Sequence, residues 1–160
     1  MNQEINEQIA QRREALGLSD TYVSSKIGIT IDEYFDIELY PDEIFTVTNL
    51  REVKLLLNLL SLDFFELFEI ECAFCDLKKP FISDYLLPRN ELIKKTRIAK
   101  KMSAEELGDR VGFYEIAITN MEKDKDFLEE WVIVNITNLA NELDIPIQIL
   151  VEIKCKKCGR

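Results

Sequence analysis

The four cysteines of this 160-residue chain are its clearest candidates for chemistry, because they stand in two C-x-x-C pairs. The first pair is Cys72 and Cys75, in CAFC, and the second is Cys155 and Cys158, in CKKC. Two such pairs form the ligand set of a tetrahedral four-cysteine zinc site, in which each turn directs two thiolates at one metal ion. The spacing predicts one structural zinc ion per chain.

Other roles remain open for these cysteines. Seventy-nine residues lie between Cys75 and Cys155, which is far more than a zinc ribbon has between its pairs. The cysteines can also be free cytosolic thiols, or form disulfides or redox pairs, although neither pair follows a strand and precedes a helix. A shared metal ion is favoured because the pairs align with one another, at an offset of 83 residues, at the ends of an internal repeat.

Catalytic chemistry finds little support in the composition. The chain has no histidine, so it lacks the usual proton shuttle at neutral pH and the imidazole metal ligand. It has no Ser-His or Cys-His arrangement and no glycine-rich phosphate loop. Its many carboxylates are typical of solvated helix faces. We expect a binding protein and not an enzyme.

Charge is distributed unevenly along the chain. Residues 1–78 carry 6 Lys and Arg against 16 Asp and Glu, a net charge of −10, whereas residues 79–160 carry 14 of each and are neutral. Affinity for nucleic acid depends largely on Lys and Arg that neutralise phosphates. The first half should therefore repel DNA, and its negative surface suits a basic protein partner.

An internal repeat organises the elements that carry these residues, because residues 19–38 return in kind 84 positions later as residues 103–122. Each copy begins with a Ser that can cap a helix and continues with an apolar pair at i and i+4. Gly28 or Gly112 then ends that helix, where the backbone needs a left-handed residue, and a second helical pattern follows. The repeat predicts a helix, a tight turn and a helix in each copy.

Apolar periodicity extends this prediction to an all-α fold of two five-helix domains. The first, acidic domain covers residues 1–75 and the second covers residues 89–160, each ending in a C-x-x-C pair, with the zinc site between the domains. Residues 76–88 contain two prolines and no helical period, which predicts a linker. The leucine-rich run at 55–68 indicates core, with a homodimer face as the alternative.

The two copies share further details. Each has a small residue, Ser24 or Gly108, directly after an apolar residue of its first helix, and an Arg 25 residues before the Glu that ends its second helix. With these features both copies resemble the helix-turn-helix of the lambda-repressor and Cro (XRE-like) family of DNA-binding domains. The resemblance implies close helix crossing at the small residue and two structural ion pairs, formed by Arg13 with Glu38 and Arg97 with Glu122.

The resemblance also implies which residues face DNA. The base-facing positions of the family fall on Thr30, Ile31, Asp32 and Asp36 in the first copy and on Tyr114, Glu115, Ile116 and Asn120 in the second. Carboxylates accept only from cytosine and repel phosphates, so the first copy should read DNA poorly, whereas an Asn can read adenine. A basic helix precedes the second motif, and its lysines either contact phosphates or form an ordinary solvated face. The expected DNA contacts are Tyr114, Glu115, Asn120, Lys94, Lys95, Lys100 and Lys101.

Together these features predict a cytoplasmic transcriptional regulator in which the second copy contacts DNA and the acidic first copy is a docking or dimerisation module. The alternative is an acidic protein-binding module, such as an immunity protein, antitoxin or antirepressor, that keeps the fold without binding DNA. Membrane association is not expected, because the sequence has no run of 18 apolar residues and no basic-then-apolar leader.

Overall fold

The computed structural model describes residues 4–160, which are all-helical and contain no strand. The chain divides into two compact units, Met1–Glu71 and Cys72–Arg160. Unit 1 has six α-helices among its described residues: α1 (Ile5–Ala15), α2 (Asp20–Ile27), α3 (Ile31–Leu39), α4 (Glu43–Thr46), α5 (Leu50–Leu60) and α6 (Phe64–Leu67). Unit 2 has five: α7 (Arg89–Ala99), α8 (Ala104–Val111), α9 (Glu115–Lys123), α10 (Ile133–Leu143) and α11 (Ile147–Val151).

The boundary between the units differs from the expected one. It lies at Glu71, so Cys72 and Cys75 belong to unit 2 and not to the first domain. The expected linker at 76–88 is part of unit 2 as well and contributes to two 3-10 helices, Cys75–Leu77 and Ser83–Leu86. The physical reason is an aromatic cluster, because the rings of Phe74, Phe81 and Tyr85 pack together at centroid distances of 5.2 to 5.7 Å.

The turn between the two middle helices of each repeat follows from its local chemistry. The Ser103 hydroxyl accepts from the backbone N–H of Glu106 at 3.0 Å, and the Glu106 carboxylate accepts from the backbone N–H of Ser103, which starts α8. Gly112 then ends α8 at φ +78°, and Gly28 ends α2 at φ +90°. Glycine adopts this left-handed conformation without steric cost, so the helices stop there.

Each unit buries one side of its helices in its own core. In unit 1 the leucine-rich run at 55–68 is mostly buried, which agrees with its reading as core. The side chains of unit 1 with no exposed surface include Ile9, Val23, Tyr34, Ile37 and Leu56. Those of unit 2 include Ile93, Leu107, Ile118, Leu139 and Leu150. Since these residues come from α7 to α11 in unit 2, each of its helices contributes to one core.

Gly108 marks a close crossing inside unit 2. A Cβ atom on Gly108 would lie 2.7 Å from the carbonyl oxygen of Phe113, in the turn that leads into α9. The Phe113 N–H donates to the Gly108 carbonyl at 2.8 Å, which holds the two backbone segments together. At the equivalent place in unit 1, the hydroxyl of buried Ser24 donates to the Thr21 carbonyl at 3.2 Å. Unit 2 therefore has no room for a side chain where unit 1 has a small one.

Replacing Gly108 with Ala is expected to destabilise unit 2. The added methyl group must displace backbone, which costs about 1 to 3 kcal/mol and outweighs the gain in helix propensity of about 1 kcal/mol. Urea unfolding followed by the fluorescence of Trp131, the one tryptophan of the chain, reports on unit 2 alone. Ser24→Ala is the matched control in unit 1 and should change stability by about 1 kcal/mol or less. An unchanged unfolding midpoint for Gly108→Ala would argue against the close crossing.

Candidate functional site

The sulfur atoms of the four cysteines form one cluster. All four Sγ atoms lie within 4.8 Å of one another. Cys72 Sγ and Cys158 Sγ are 3.6 Å apart, and Cys75 Sγ and Cys155 Sγ are 3.7 Å apart. Around a tetrahedral metal ion with metal–sulfur bonds of about 2.3 Å, neighbouring sulfurs lie about 3.8 Å apart. The four cysteines can therefore hold one metal ion.

The cluster lies within one unit. Because all four cysteines belong to Cys72–Arg160, the expected zinc site between two domains is instead a site inside unit 2. The first pair begins this unit, and the second pair follows α11 and lies next to the last residue, Arg160. The site therefore joins the two ends of unit 2.

The two C-x-x-C turns, which we call hook 1 (Cys72–Cys75) and hook 2 (Cys155–Cys158), have matching backbones. In hook 1 the Cys72 sulfur accepts hydrogen bonds from the backbone N–H groups two and three residues later, and in hook 2 the Cys155 sulfur does the same. Each hook is followed by a left-handed residue, Asp76 at φ +56° or Gly159 at φ +74°. Asp tolerates this conformation better than most residues. The hooks are therefore already shaped to hold thiolates.

The surroundings of the sulfurs change the acidity of the thiols. Burial is the largest influence on Cys75 and, with the neighbouring sulfurs, raises its pKa to about 12. Burial also raises the pKa of Cys72. Burial opposes ionisation of Cys155 too, but the N–H groups of Cys158 and Lys157 outweigh it and lower this pKa to about 7. Since metals bind thiolates, binding must displace protons at neutral pH, and metal affinity should rise with pH.

Two buried polar residues beside the hooks escaped the sequence interpretation. Gln148, in α11, donates from Nε2 to the sulfur of Cys72 at 3.2 Å. Arg89, the first residue of α7, has only 1% of its side chain exposed. Arg89 donates from Nη1 to the Leu150 carbonyl at 2.9 Å and from Nη2 to Glu129 Oε1 at 2.8 Å. One signal for Arg89 was available, because the position 84 residues earlier holds an apolar residue, Ile5.

The Arg and Glu residues suggested by the resemblance are brought together in both units. Arg13 Nε lies 2.6 Å from Glu38 Oε1, and Arg97 Nε lies 2.5 Å from Glu122 Oε1. In each pair Nη2 donates to the second carboxylate oxygen at 2.9 Å. These hydrogen bonds with Glu are the main reason that the pKa of each guanidinium is raised. The pairs are bidentate and mostly buried, and they fasten the first helix of each motif region to the end of the second motif helix.

The residues expected to contact DNA all lie in unit 2. Tyr114, directly before α9, has 85% of its surface exposed, Glu115 is exposed, and Asn120 is half-buried on α9. The four lysines are exposed, and Lys95 Nζ forms an ion pair with Asp84 Oδ1 at 2.7 Å. They lie on α7 and directly after it, and α7 packs against α9. The four are Lys94, Lys95, Lys100 and Lys101.

Equivalent faces of α3 and α9 differ in chemistry. On α9 the positions 116, 119, 120 and 123, one helical face at i, i+3, i+4 and i+7, hold Ile, Thr, Asn and Lys. The same face of α3 holds Asp32, Phe35, Asp36 and Leu39, all exposed. The face in unit 2 therefore carries an amide and a cation, whereas the face in unit 1 carries carboxylates and apolar side chains.

Comparison of the chain with protein-family models, with curated proteins and with solved structures gives no significant match. Inferences about function therefore rest on the residues and their geometry. Within residues 4–160, every helix is too short or too polar to cross a bilayer.

Proposed function

We propose that this chain is a regulator-like binding protein built of two lambda-repressor-like helix-turn-helix domains, in which unit 2 contacts DNA. The observation that carries the proposal is the exposed face of α9. Between Glu115 and Glu122 this helix has no carboxylate, so Asn120 can approach a base edge without repelling the phosphates. Asn pairs with the adenine edge through two hydrogen bonds. The lysines of α7 supply cations for the backbone on either side.

Repeated geometry supports the family resemblance. Both motifs turn at a left-handed glycine, and both second helices end in a Glu bound by an Arg of the preceding helix region. The Arg also donates to a backbone carbonyl in each unit, Leu18 for Arg13 and Met102 for Arg97. Such agreement in two copies of different sequence indicates that this network is part of the fold.

For the cysteine cluster we propose one structural zinc ion per chain. Four thiolates in a tetrahedron favour zinc or iron over harder cations. A set of four protein ligands leaves no open position for a substrate, which is typical of structural zinc sites. The ion would hold the two ends of unit 2 together and so support the motif that lies between them.

A second candidate function is favoured by α3 of unit 1. Helix α3 has no basic residue, and its exposed face combines Asp32 and Asp36 with Phe35 and Leu39, of which Leu39 is 64% exposed. Carboxylates beside exposed apolar side chains suit a basic protein surface better than DNA. In the regulator this face is a docking or dimerisation module. In the alternative it is the whole function, as in an acidic immunity protein, antitoxin or antirepressor.

The full chain should bind a short mixed-sequence DNA duplex with a steep salt dependence. If the four lysines each neutralise one phosphate, log Kd should change with log salt with a slope of about 3.6, and affinity should fall roughly 150-fold between 50 and 200 mM salt. The double variant Lys94→Gln with Lys100→Gln removes two contacts and should lower this slope by about 1.8. Fluorescence anisotropy of labelled duplex measures both quantities.

The control is the double variant Lys26→Gln with Lys54→Gln, which makes the same change of charge in unit 1. Its salt slope should match that of the unchanged chain, because those lysines lie outside the proposed interface. Equal slopes in all three proteins would place the DNA contacts elsewhere. Complete absence of binding at low salt would reject the DNA-binding proposal and favour the acidic protein-binding module.

A further inference from the structure

The hydrogen bond between Gln148 and Cys72 has a geometry that the fold does not need for its own stability. Gln148 is 3% exposed and lies in an apolar stretch, 145–151, with isoleucine on both sides of it. A buried amide is costly unless it is hydrogen-bonded, and an apolar residue would fill this place at no such cost. The side chain instead directs Nε2 at the Cys72 sulfur, 3.2 Å away. The amide is therefore placed to serve the sulfur.

Gln148 also connects the two hooks through its backbone. Its carbonyl accepts from the N–H of Ile153 at 3.2 Å, two residues before Cys155 starts hook 2. Its side chain meanwhile reaches Cys72, which starts hook 1. One residue is thus hydrogen-bonded to a ligand of hook 1 and to the chain entering hook 2, so its position sets the distance between the hooks.

Helix α11 holds Gln148 in place. Arg89 donates to the carbonyl of Leu150 at 2.9 Å, near the end of this helix, and Pro146 precedes its first residue with a fixed φ that suits a helix start. Leu150 and Val151 have no exposed surface. Since α11 is fixed by the core and by Arg89, the Gln148 amide meets the Cys72 sulfur in a set direction.

We propose that Gln148 is a positioning residue of the metal centre, whose amide orients the Cys72 thiolate and offsets part of its charge. The inference rests on the metal site of the proposed function. A neutral N–H donor to an anionic sulfur forms a charge-assisted hydrogen bond, and the amide keeps Cys72 aimed at the point where the other three sulfurs converge. Partners that orient metal ligands in this way typically change metal affinity by about 10 to 100-fold.

Gln148→Leu in the full chain tests this role, because leucine keeps the volume and removes the donor. Zinc affinity, measured by competition with a chromophoric chelator, should fall about 10 to 100-fold. Gln148→Glu should lower it further, because a carboxylate beside the thiolate adds repulsion. The cobalt(II)-loaded variant should show its sulfur-to-metal charge-transfer band at longer wavelength, since a sulfur without the hydrogen bond gives up electron density more easily. A purely structural role would leave that band unmoved.

Asn6→Leu is the control, because it removes another buried amide, in unit 1 and away from the cysteines. It should leave zinc affinity and the cobalt spectrum unchanged. Far-UV circular dichroism and Trp131 fluorescence at saturating zinc establish that each variant is folded. If the unchanged chain binds one zinc ion and Gln148→Leu binds it equally tightly with the same cobalt spectrum, the role of Gln148 is rejected and the metal centre stands. If the unchanged chain binds no zinc, the metal centre itself is rejected.

Discussion

Protein purified without added zinc is expected to contain about one zinc ion per chain, and removing that ion should destabilise unit 2 far more than unit 1. Without a cation, the cluster holds four sulfurs within 4.8 Å of one another, where ionised thiolates repel. The bound ion also joins the two ends of unit 2. Structural zinc contributes about 10 to 16 kcal/mol of binding free energy in small zinc domains, whereas whole domains are stable by about 5 to 15 kcal/mol. We therefore expect chelation to lower the unfolding free energy of unit 2 by roughly 5 kcal/mol or more.

Urea unfolding with and without a chelator measures this effect. Trp131 packs its ring on Phe113 at a centroid distance of 4.2 Å inside unit 2, so its fluorescence follows that unit, while the helical circular dichroism signal that survives chelation reports on unit 1. Cys72→Ser should behave like the chelated protein. Ala73→Ser, which adds a hydroxyl to hook 1 without removing a ligand, should retain the metal ion.

Acidification should release the ion, because protons compete for the thiolates. The raised pKa values of Cys72 and Cys75 make these two sulfurs the first to be protonated as the pH falls. A protein that contains no metal, whose four thiols react rapidly in the native state and whose stability ignores the chelator, would return the cysteines to ordinary free thiols.

Arg89→Met should lower the unfolding free energy of unit 2 by roughly 3 to 5 kcal/mol. The guanidinium is almost fully buried, and its removal takes away the cation that faces Glu129, which is itself only 14% exposed. It also removes the donor to the carbonyls of Leu150 and Lys125. Breaking a buried pair by removing one partner is costly because the other charge stays in a poorly solvated place.

Arg110→Met provides the matched comparison in the same unit. Arg110 forms an ion pair with Glu142 at 2.8 Å, but 59% of its side chain is exposed, and such surface pairs contribute about 0 to 1 kcal/mol. Both variants can be followed by Trp131 fluorescence in urea. Equal losses of stability would contradict the buried role of Arg89. Arg89→Lys should recover only part of the loss, because an ammonium cannot reproduce three bonds in the directions of a guanidinium.

The features of this fold that could be predicted from sequence are those set by neighbouring residues. Ser103 with Glu106 signals a helix start, and Gly28 and Gly112 signal helix ends, because capping and left-handed turns depend on a few adjacent residues. The clustering of the four cysteines was also predicted, since a duplicated pattern carried both hooks. The one-turn helix α4 was missed, because four residues are too few to show a period.

Features that depend on distant contacts could not be predicted in this way. Arg89 and Leu150 are separated by 61 residues, and Gln148 and Cys72 by 76, so no local pattern marks either hydrogen bond. Similarly, residues 76–88 looked like a linker because of their prolines, whereas packing of Phe81 and Tyr85 on Phe74 makes them part of unit 2. Which unit a segment joins depends on such contacts and not on its own composition.

The meeting of both hooks at one cluster has a mechanical consequence. Tension applied to the chain at Glu71 and Arg160 enters unit 2 at hook 1 and leaves it at hook 2, a few ångströms away, since Cys72 Sγ and Cys158 Sγ are 3.6 Å apart. With a metal ion in place, the load crosses two metal–sulfur bonds and bypasses every helix from α7 to α11. The 79 residues between Cys75 and Cys155, which would span roughly 280 Å when extended at about 3.5 Å per residue, stay slack until one of those bonds breaks.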